Sequence, residues 1–343
     1  MNELWAKAVS EVTEPENISR FEEIKAGGSE RSFYRLFARD GSTYILQESK
    51  KYDEFQEYIL IGEFFLKWGI SVPRILSVLQ KDGIAVIEDV GAFTIQAAAR
   101  KYLQVENYCR LIELYKRILL ELIKLQRIPV PELPIQIRSR RFDFDYYRWE
   151  TDYFLQNCAL KFFSSQDVNT KELNRGFASL AASLQEEPMF AVHRDFQSQN
   201  ILLDKEEVED GRISIIDFQS SRLGSCFYDV ASLLKDPYVE LPADIHDQLF
   251  DFYLKELQEE GIRRELSPES ARVLYNRVSL QRLMQALGAY GNLGINKGKK
   301  EFLQYIPPAA RLLYSTLEEL DSFPNIRSIA ERLFRDLARF FKK

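Results

Sequence analysis

The sequence predicts an α+β fold of two lobes, with a small β-rich lobe over residues 1–89 and a large, mainly helical lobe over residues 90–343. Short segments rich in β-branched and aromatic residues dominate the first ninety residues, and one helical pattern lies among them. After Gly91, apolar residues recur at helical spacing along most of the chain. A chain of 343 residues with 45% hydrophobic content is long enough to build a core in each lobe.

The β-rich lobe is predicted to consist of two hairpins and one helix. The predicted strands are residues 33–37, 43–46, 75–79 and 84–87. Asp40-Gly41 is the turn signal of the first hairpin, and Lys81-Asp82-Gly83 is that of the second. Between the hairpins, residues 53–68 have helical periodicity, and Gly69 ends the pattern.

The larger lobe is predicted to be helical except for short strands and loops over residues 190–217. The predicted helices are residues 105–126, 143–163, 170–185, 243–260, 267–290, 299–320 and 326–341. Pro129 and Pro131 end the first of these helices. The chain has no internal repeat and no low-complexity tract.

Charge and cysteine content exclude several classes of protein. The net charge of −6 argues against nonspecific nucleic-acid binding. A basic and aromatic stretch remains, but its short length favours a solvated turn before a helix; it comprises Arg138, Arg140, Arg141, Phe142, Tyr146 and Tyr147. The three cysteines form no C-x-x-C pair, so neither a disulfide framework nor a zinc site is indicated. We expect a cytoplasmic protein that does not bind a membrane, because no signal peptide or membrane span is evident. No obligate protein partner is indicated by the sequence.

The chemistry is indicated by residues 193–200, which read H-R-D-x-x-x-x-N, the catalytic-loop pattern of kinases. Asp217 follows Asn200 by seventeen residues, at the end of a short apolar run. In phosphoryl transfer from ATP, such an aspartate, asparagine and second aspartate position the acceptor and hold the metal. Asp195 is therefore the predicted catalytic residue, which accepts or orients the proton of the acceptor hydroxyl. Asn200 and Asp217 are the predicted Mg²⁺ ligands, because this ion prefers hard oxygen donors.

Backbone groups at two places are predicted to bind the nucleotide. The glycine turn Gly27, Gly28 and Ser29 allows backbone N–H groups to approach the ATP phosphates, although it also suits an ordinary hairpin turn. The strand of residues 84–87 leads into Glu88 and Val90, whose backbone is expected to bind the adenine edge.

The cation that kinases carry on the third strand is absent. Gln47 occupies the position where a lysine for the α- and β-phosphates is expected. Arg31, beside the glycine turn, is predicted to bind the nucleotide as a side-chain donor. The possible substitutes for the lysine are Lys50, Lys51, Arg31 and Arg35, and the alternative is that magnesium and the backbone hold the phosphates.

The segment after Asp217 favours a small acceptor over a protein. The usual glycine is replaced by Gln219, and no Ala-Pro-Glu follows. Asp229 comes only twelve positions after Asp217 and opens a helix, whereas the activation segment of a protein kinase needs roughly twenty to thirty residues.

With these motifs, the chain resembles the aminoglycoside-phosphotransferase-like superfamily of small-molecule kinases, whose two-lobed fold is protein-kinase-like. Within it, the sequence is most similar to the bacterial anomeric kinases of N-acetylmuramate and N-acetylglucosamine. The strongest matching segments are residues 192–195, 217–219 and 228–236, and residues 280–282 also match. The resemblance implies ATP-dependent phosphorylation of the anomeric hydroxyl of an amino sugar in cell-wall recycling. It also implies that Asp229 braces the catalytic loop.

Four polar residues in apolar helical patterns are the predicted acceptor contacts: Arg148, Glu150, Gln281 and Arg282. An internal ion pair explains their polarity equally well. Two other functions remain open. One is a kinase of an aminoglycoside, choline, homoserine or a methylthio-sugar. The other is a non-catalytic nucleotide-binding protein, which the absence of the strand lysine suggests.

Overall fold

The computed structural model describes residues 2–24, 31–163, 168–205 and 211–340, with the side chains of 337–340 excepted. The chain forms two compact units. The sheet unit comprises residues 1–98 and 200–220, and the helical unit comprises residues 99–199 and 221–343. The predicted α+β class is confirmed. The functional lobe boundary at residue 89 stays a prediction.

Ten strands occur in the described residues: β1 (Ile18–Ile24), β2 (Arg31–Ala38), β3 (Thr43–Ser49), β4 (Ile75–Leu79), β5 (Ile84–Glu88), β6 (Phe93–Thr94), β7 (Phe190–Val192), β8 (Ile201–Leu203), β9 (Ile213–Ile215) and β10 (Arg222–Gly224). In the sheet unit, an antiparallel sheet has the order β1-β2-β3-β5-β4, and a smaller sheet has the order β6-β8-β9. In the helical unit, β7 pairs with β10. Both predicted hairpins are present, and β1 precedes them.

Left-handed glycines close both hairpins. Gly41 has a φ of +90°, and the side chain of Asp40 accepts a hydrogen bond from the N–H of Ser42 in the same turn. Gly83 has a φ of +66°, and a Cβ at this position would lie 2.4 Å from the carbonyl oxygen of Ser49. Both turns therefore need the residue that the sequence provides.

Thirteen α-helices occur in the described residues: α1 (Glu3–Ser10), α2 (Tyr52–Lys67), α3 (Ile95–Gln104), α4 (Tyr108–Gln126), α5 (Ile135–Arg138), α6 (Phe144–Phe154), α7 (Leu160–Phe162), α8 (Thr170–Gln185), α9 (Phe227–Leu234), α10 (Ala243–Glu259), α11 (Pro268–Gly291), α12 (Ile306–Glu318) and α13 (Pro324–Phe340). All seven helices predicted for the larger lobe have counterparts. No helix in the described ranges has the length and apolarity that a membrane crossing requires.

Helices α1 and α2 both contact strands of the five-stranded sheet. Trp5 and Val9 of α1 pack on one face with Leu36, Leu46 and other apolar side chains. On α2, the ring of Tyr58 stacks on that of Phe218, with the ring centroids 4.9 Å apart. The segment that follows β9 is thus anchored on helix α2.

Helix α11 is buried along most of its length and packs against α6, α9 and α12.

Two predicted helices are interrupted for local reasons. Residues 299–320 do not form one helix, because Pro307 and Pro308 are compatible only with a first turn; α12 accordingly begins at Ile306, after a 3₁₀ segment. Residues 143–163 contain a π-helical turn at Leu155–Ala159, where Gly291 of α11 leaves room for the backbone of this turn.

Candidate functional site

Asp195 lies in the helical unit, in the loop that follows β7. Its side chain is 23% exposed, and the guanidinium Nη1 of Arg194 lies 3.2 Å from its Oδ2. Burial alone would raise the pKa of Asp195, but the charges of Arg194, Arg282 and other basic groups hold this pKa below its ordinary value. Asp195 is therefore ionised at neutral pH and can accept a hydrogen bond from a hydroxyl group.

Asp229, at the start of α9, holds the loop on the N-terminal side of Asp195. Its carboxylate accepts hydrogen bonds from the backbone N–H groups of His193 at 2.6 Å and Arg194 at 2.9 Å. Arg194 has a φ of +81°, an unusual backbone conformation for a non-glycine residue. Burial raises the pKa of Asp229 to about 7, although the two N–H donors oppose this shift. These contacts give Asp229 the bracing position that the resemblance implies.

Asp236 holds the same loop on the other side of Asp195, a contact that the sequence analysis did not identify. Its Oδ2 accepts hydrogen bonds from the N–H of Ser198 at 2.9 Å and from its Oγ at 2.6 Å. Arg282 reaches the loop as well, because it donates to the side chain of Gln197 at 3.2 Å. Asp236 stands in the matching segment 228–236, which was the signal available in the sequence. The backbone on both sides of Asp195 is thus fixed by buried carboxylates.

Asp217 lies in the sheet unit, two residues after β9. Its φ of +65° is in the left-handed region that non-glycine residues rarely adopt. Its Oδ1 accepts hydrogen bonds from Arg31 and from Gln219, each at 2.8 Å, and its side chain is 41% exposed. The ring of Phe218 is buried against α2, so the backbone beside Asp217 is anchored.

Asn200 is adjacent to Asp217 through the small sheet. Ile201 of β8 pairs with Ile215 of β9, and the carbonyl oxygen of Asn200 accepts a hydrogen bond from the N–H of Ile216 at 2.9 Å. Among the described residues, no group of three or more His, Cys, Asp or Glu side chains is arranged to hold a metal ion. One amide and one carboxylate fit an ion such as Mg²⁺, which completes its shell with phosphate oxygens and water.

Among the four candidate replacements for the strand lysine, Arg31 is the one that contacts Asp217 in the described residues. Its side chain is only 8% exposed, and its guanidinium contacts the carboxylate of Asp217. By contrast, Lys51 pairs with Glu54 on the surface, and Arg35 pairs with Asp89. The Arg31 guanidinium also lies 5.6 Å from the ring centroid of Phe33 and 5.9 Å from that of Tyr58.

Gln47 is fully buried on β3, opposite Phe33 of β2. Because side chains alternate along a strand, Gln47 lies on the same face of the sheet as Arg31 and Phe33. Neither its amide nitrogen nor its amide oxygen has a hydrogen-bond partner among the described residues. A buried amide without partners is costly and marks an unusual position.

Only some of the other residues predicted to bind the nucleotide lie within the described residues. Gly27, Gly28 and Ser29 lie outside the described residues. The carboxylate of Glu88 accepts hydrogen bonds from Arg212 at 2.7 and 3.0 Å, and the N–H of Glu88 donates to the carbonyl of Arg74. Val90 is buried. The adenine contact at Glu88 and Val90 stays a prediction.

The four predicted acceptor residues all have polar partners within the helical unit. Glu150 is fully buried and accepts hydrogen bonds from Tyr228 at 2.8 Å and from Gln281 at 2.9 Å. Arg148 and Arg282 each donate to three side chains. These contacts satisfy Arg148, Glu150 and Arg282 within the protein, whereas the buried Oε1 of Gln281 has no hydrogen-bond partner among the described residues. Their contact with an acceptor stays a prediction.

Comparison with known proteins identifies the family. The model of the phosphotransferase enzyme family matches residues 20–266. The chain belongs to this family. The phosphotransferase is 24% identical over 298 residues to the N-acetylmuramate/N-acetylglucosamine kinase of Pseudomonas aeruginosa, covering 85% of this chain and 82% of that protein. It is 23% identical to the kinase of the same name from Neisseria meningitidis serogroup B, covering 81% of this chain and 79% of that protein.

Solved structures show the same fold. An ethanolamine kinase of Plasmodium vivax superimposes with a TM-score of 0.59 at 15% identity, covering 92% of this chain and 85% of the other. A choline/ethanolamine kinase family protein of Mesorhizobium loti gives a TM-score of 0.57 at 17% identity, covering 97% of this chain and 98% of the other. The predicted protein-kinase-like fold is confirmed, and so is the prediction of an ATP-dependent enzyme that phosphorylates a hydroxyl group. Its acceptor is a small molecule.

Proposed function

We propose that this phosphotransferase uses ATP and Mg²⁺ to phosphorylate the anomeric hydroxyl of an N-acetylated amino sugar, either N-acetylmuramate or N-acetylglucosamine. The acceptor assignment is supported by the kinases of both sugars in Pseudomonas and Neisseria, which match about four-fifths of this chain. The observation that carries the catalytic assignment is the ionised Asp195 in a loop fixed on both sides.

In this proposal, Asp195 acts on the acceptor hydroxyl. A carboxylate whose pKa is below the ordinary value is a weak base, so its main effect is to orient the hydroxyl, and it takes the proton late in the transfer. An anomeric hydroxyl suits such a weak base, because the ring oxygen withdraws electrons and makes this hydroxyl the most acidic of the sugar. Asp229 and Asp236 serve this step by keeping the Asp195 backbone in place.

The sheet unit supplies the groups that hold the nucleotide. The oxygens of Asn200 and Asp217 would bind Mg²⁺, which when present neutralises charge on the β- and γ-phosphates. Arg31 would donate to a phosphate oxygen and so take the role of the absent strand lysine. The glycine turn at Gly27 and Gly28 would add backbone N–H donors.

The decisive experiment incubates the purified protein with ATP, Mg²⁺ and each amino sugar in turn and follows the products by phosphorus NMR. A sugar 1-phosphate is expected with at least one of the two acceptors. The acceptor assignment is refuted if both sugars are unchanged, and a panel that includes choline, homoserine and an aminoglycoside then identifies the acceptor by ADP release.

The variant Asp195→Ala tests the catalytic role. Its turnover should fall by about 10²- to 10⁴-fold, the range for loss of an acid–base group, while the nucleotide still binds. Asp244→Asn is the matched control, because Asp244 is an exposed aspartate on α10 of the same unit. Equal turnover of the Asp195 variant and this control would exclude Asp195 as the catalytic residue.

A further inference from the structure

Helix α6 carries an aromatic strip formed by Tyr146, Trp149 and Tyr153. These residues are three and four positions apart and therefore share one face of the helix. The ring centroids of Tyr146 and Trp149 are 5.4 Å apart, and those of Trp149 and Tyr153 are 5.3 Å apart with nearly parallel planes. Trp149 is 48% exposed, which is unusual for the largest apolar side chain.

Packing within the helical unit does not explain the exposed part of this strip. The core-facing side of α6 is formed by other residues, such as Tyr147 and Phe154, which are fully buried. Tyr153 is fixed against α11, because a Cβ at Gly288 would lie 2.7 Å from the Tyr153 ring. The strip is about 10 Å long, and nearly half of Trp149 within it is exposed to solvent.

The Tyr146 end of the strip lies beside the catalytic loop. The guanidinium carbon of Arg222 is 4.2 Å from the ring centroid of Tyr146. Arg222 pairs with Val192, which precedes Asp195 by three residues in the same unit. Burial raises the pKa of both Tyr146 and Tyr153, and the positive charge of Arg194 opposes the shift in both.

The chemistry of the strip favours a sugar ring. Aromatic faces are electron-rich and attract the weakly positive C–H groups of a pyranose and of an N-acetyl methyl group. A cationic acceptor such as choline would also stack on aromatic rings, but Arg222 already occupies a face of Tyr146, and its charge repels a second cation. A neutral or anionic amino sugar meets no such repulsion.

Resting on the proposed function, we infer that the aromatic strip is the stacking platform of the acceptor, with the sugar ring on Trp149 and its anomeric hydroxyl directed toward Asp195. The strip therefore determines the affinity for the acceptor and does not change the affinity for the nucleotide.

Steady-state kinetics with Trp149→Ala, Trp149→Phe and the wild type test this inference. The alanine variant should raise the KM for the amino sugar by about tenfold or more, which corresponds to about 1.4 kcal/mol. The phenylalanine variant should stay within about threefold of the wild type, because it retains an aromatic face. The KM for ATP should be unchanged in both. Trp68→Ala is the matched control, since Trp68 is a similarly exposed tryptophan of the sheet unit.

The outcomes separate this inference from the proposed function. If the wild type phosphorylates an amino sugar and Trp149→Ala keeps its KM for that sugar, the platform is refuted while the function stands. If the wild type phosphorylates only choline or another cation, the proposed function and the platform for a sugar both fail. Equal KM increases for the sugar and for ATP would indicate damage to the fold and would also contradict a role confined to the acceptor.

Discussion

Replacement of Arg31 by alanine tests the most unusual feature of the nucleotide-binding residues. Arg31 is the buried cation beside Asp217, whereas the position of the strand lysine holds Gln47. A hydrogen bond to a charged group contributes about 1.5–3 kcal/mol, so loss of the guanidinium from a phosphate should weaken ATP binding by about 10- to 150-fold. Arg39→Ala is the matched control, because Arg39 is an exposed arginine of the same unit.

A second substitution makes the test specific. Gln47→Lys restores a cation on β3, on the same face of the sheet as Arg31. It removes no hydrogen bond with the described residues, since the Gln47 amide has none there. If Arg31 replaces the strand lysine, the double variant Arg31→Ala, Gln47→Lys should recover about tenfold or more of the lost affinity.

Isothermal titration with a non-hydrolysable ATP analogue, with and without Mg²⁺, measures these changes. A phosphate contact predicts weaker binding of Arg31→Ala under both conditions. If the loss occurs only with Mg²⁺, Arg31 acts by placing the Asp217 carboxylate, and the phosphate role is wrong. An affinity within threefold of the wild type under both conditions would refute any nucleotide role of Arg31.

Three further predictions concern the helical unit. Ser198→Ala removes the 2.6 Å hydrogen bond to Asp236, and kcat should fall by about tenfold while the KM for ATP is unchanged; an unaltered kcat would exclude this contact as a support of the loop. Burial lowers the pKa of Lys235 to about 8, so the unfolded chain binds more protons than the native protein between about pH 8 and 10.5. The contribution of Lys235 to the free energy of unfolding should therefore increase by about 3 kcal/mol as the pH rises from about 8 to 10.5, and this gain should be lost as the pH falls back to 8. Urea unfolding of the wild type and Lys235→Met at several pH values measures this change. A difference in unfolding free energy between the two proteins that does not vary with pH would contradict it. Gly224→Ala should destabilise the protein by about 1–3 kcal/mol, because its Cβ would lie 2.6 Å from the ring of Phe142; a melting temperature equal to that of the wild type would show that this contact can relax.

The sequence alone determined the features that depend on neighbours along the chain. Strands, helices and glycine turns follow from hydrophobic period and turn residues, so the hairpin turn at Gly83 and helix α8 are found where they were predicted. The spacing of Asp195, Asn200 and Asp217 is likewise a local pattern of residue types, and it indicated the reaction class before any fold was known.

The tertiary structure decided which distant side chains meet. Nothing in the local sequence pairs Arg31 with Asp217, since the contact depends on a strand and a loop separated by 186 positions. The bond between Ser198 and Asp236 depends in the same way on the packing of α9. Polarity within a helix also cannot tell an internal network from a ligand site, because both satisfy buried hydrogen-bonding groups; only the contacts of Glu150 distinguish them. Local spacing therefore specifies the chemistry, and long-range packing specifies which groups support it.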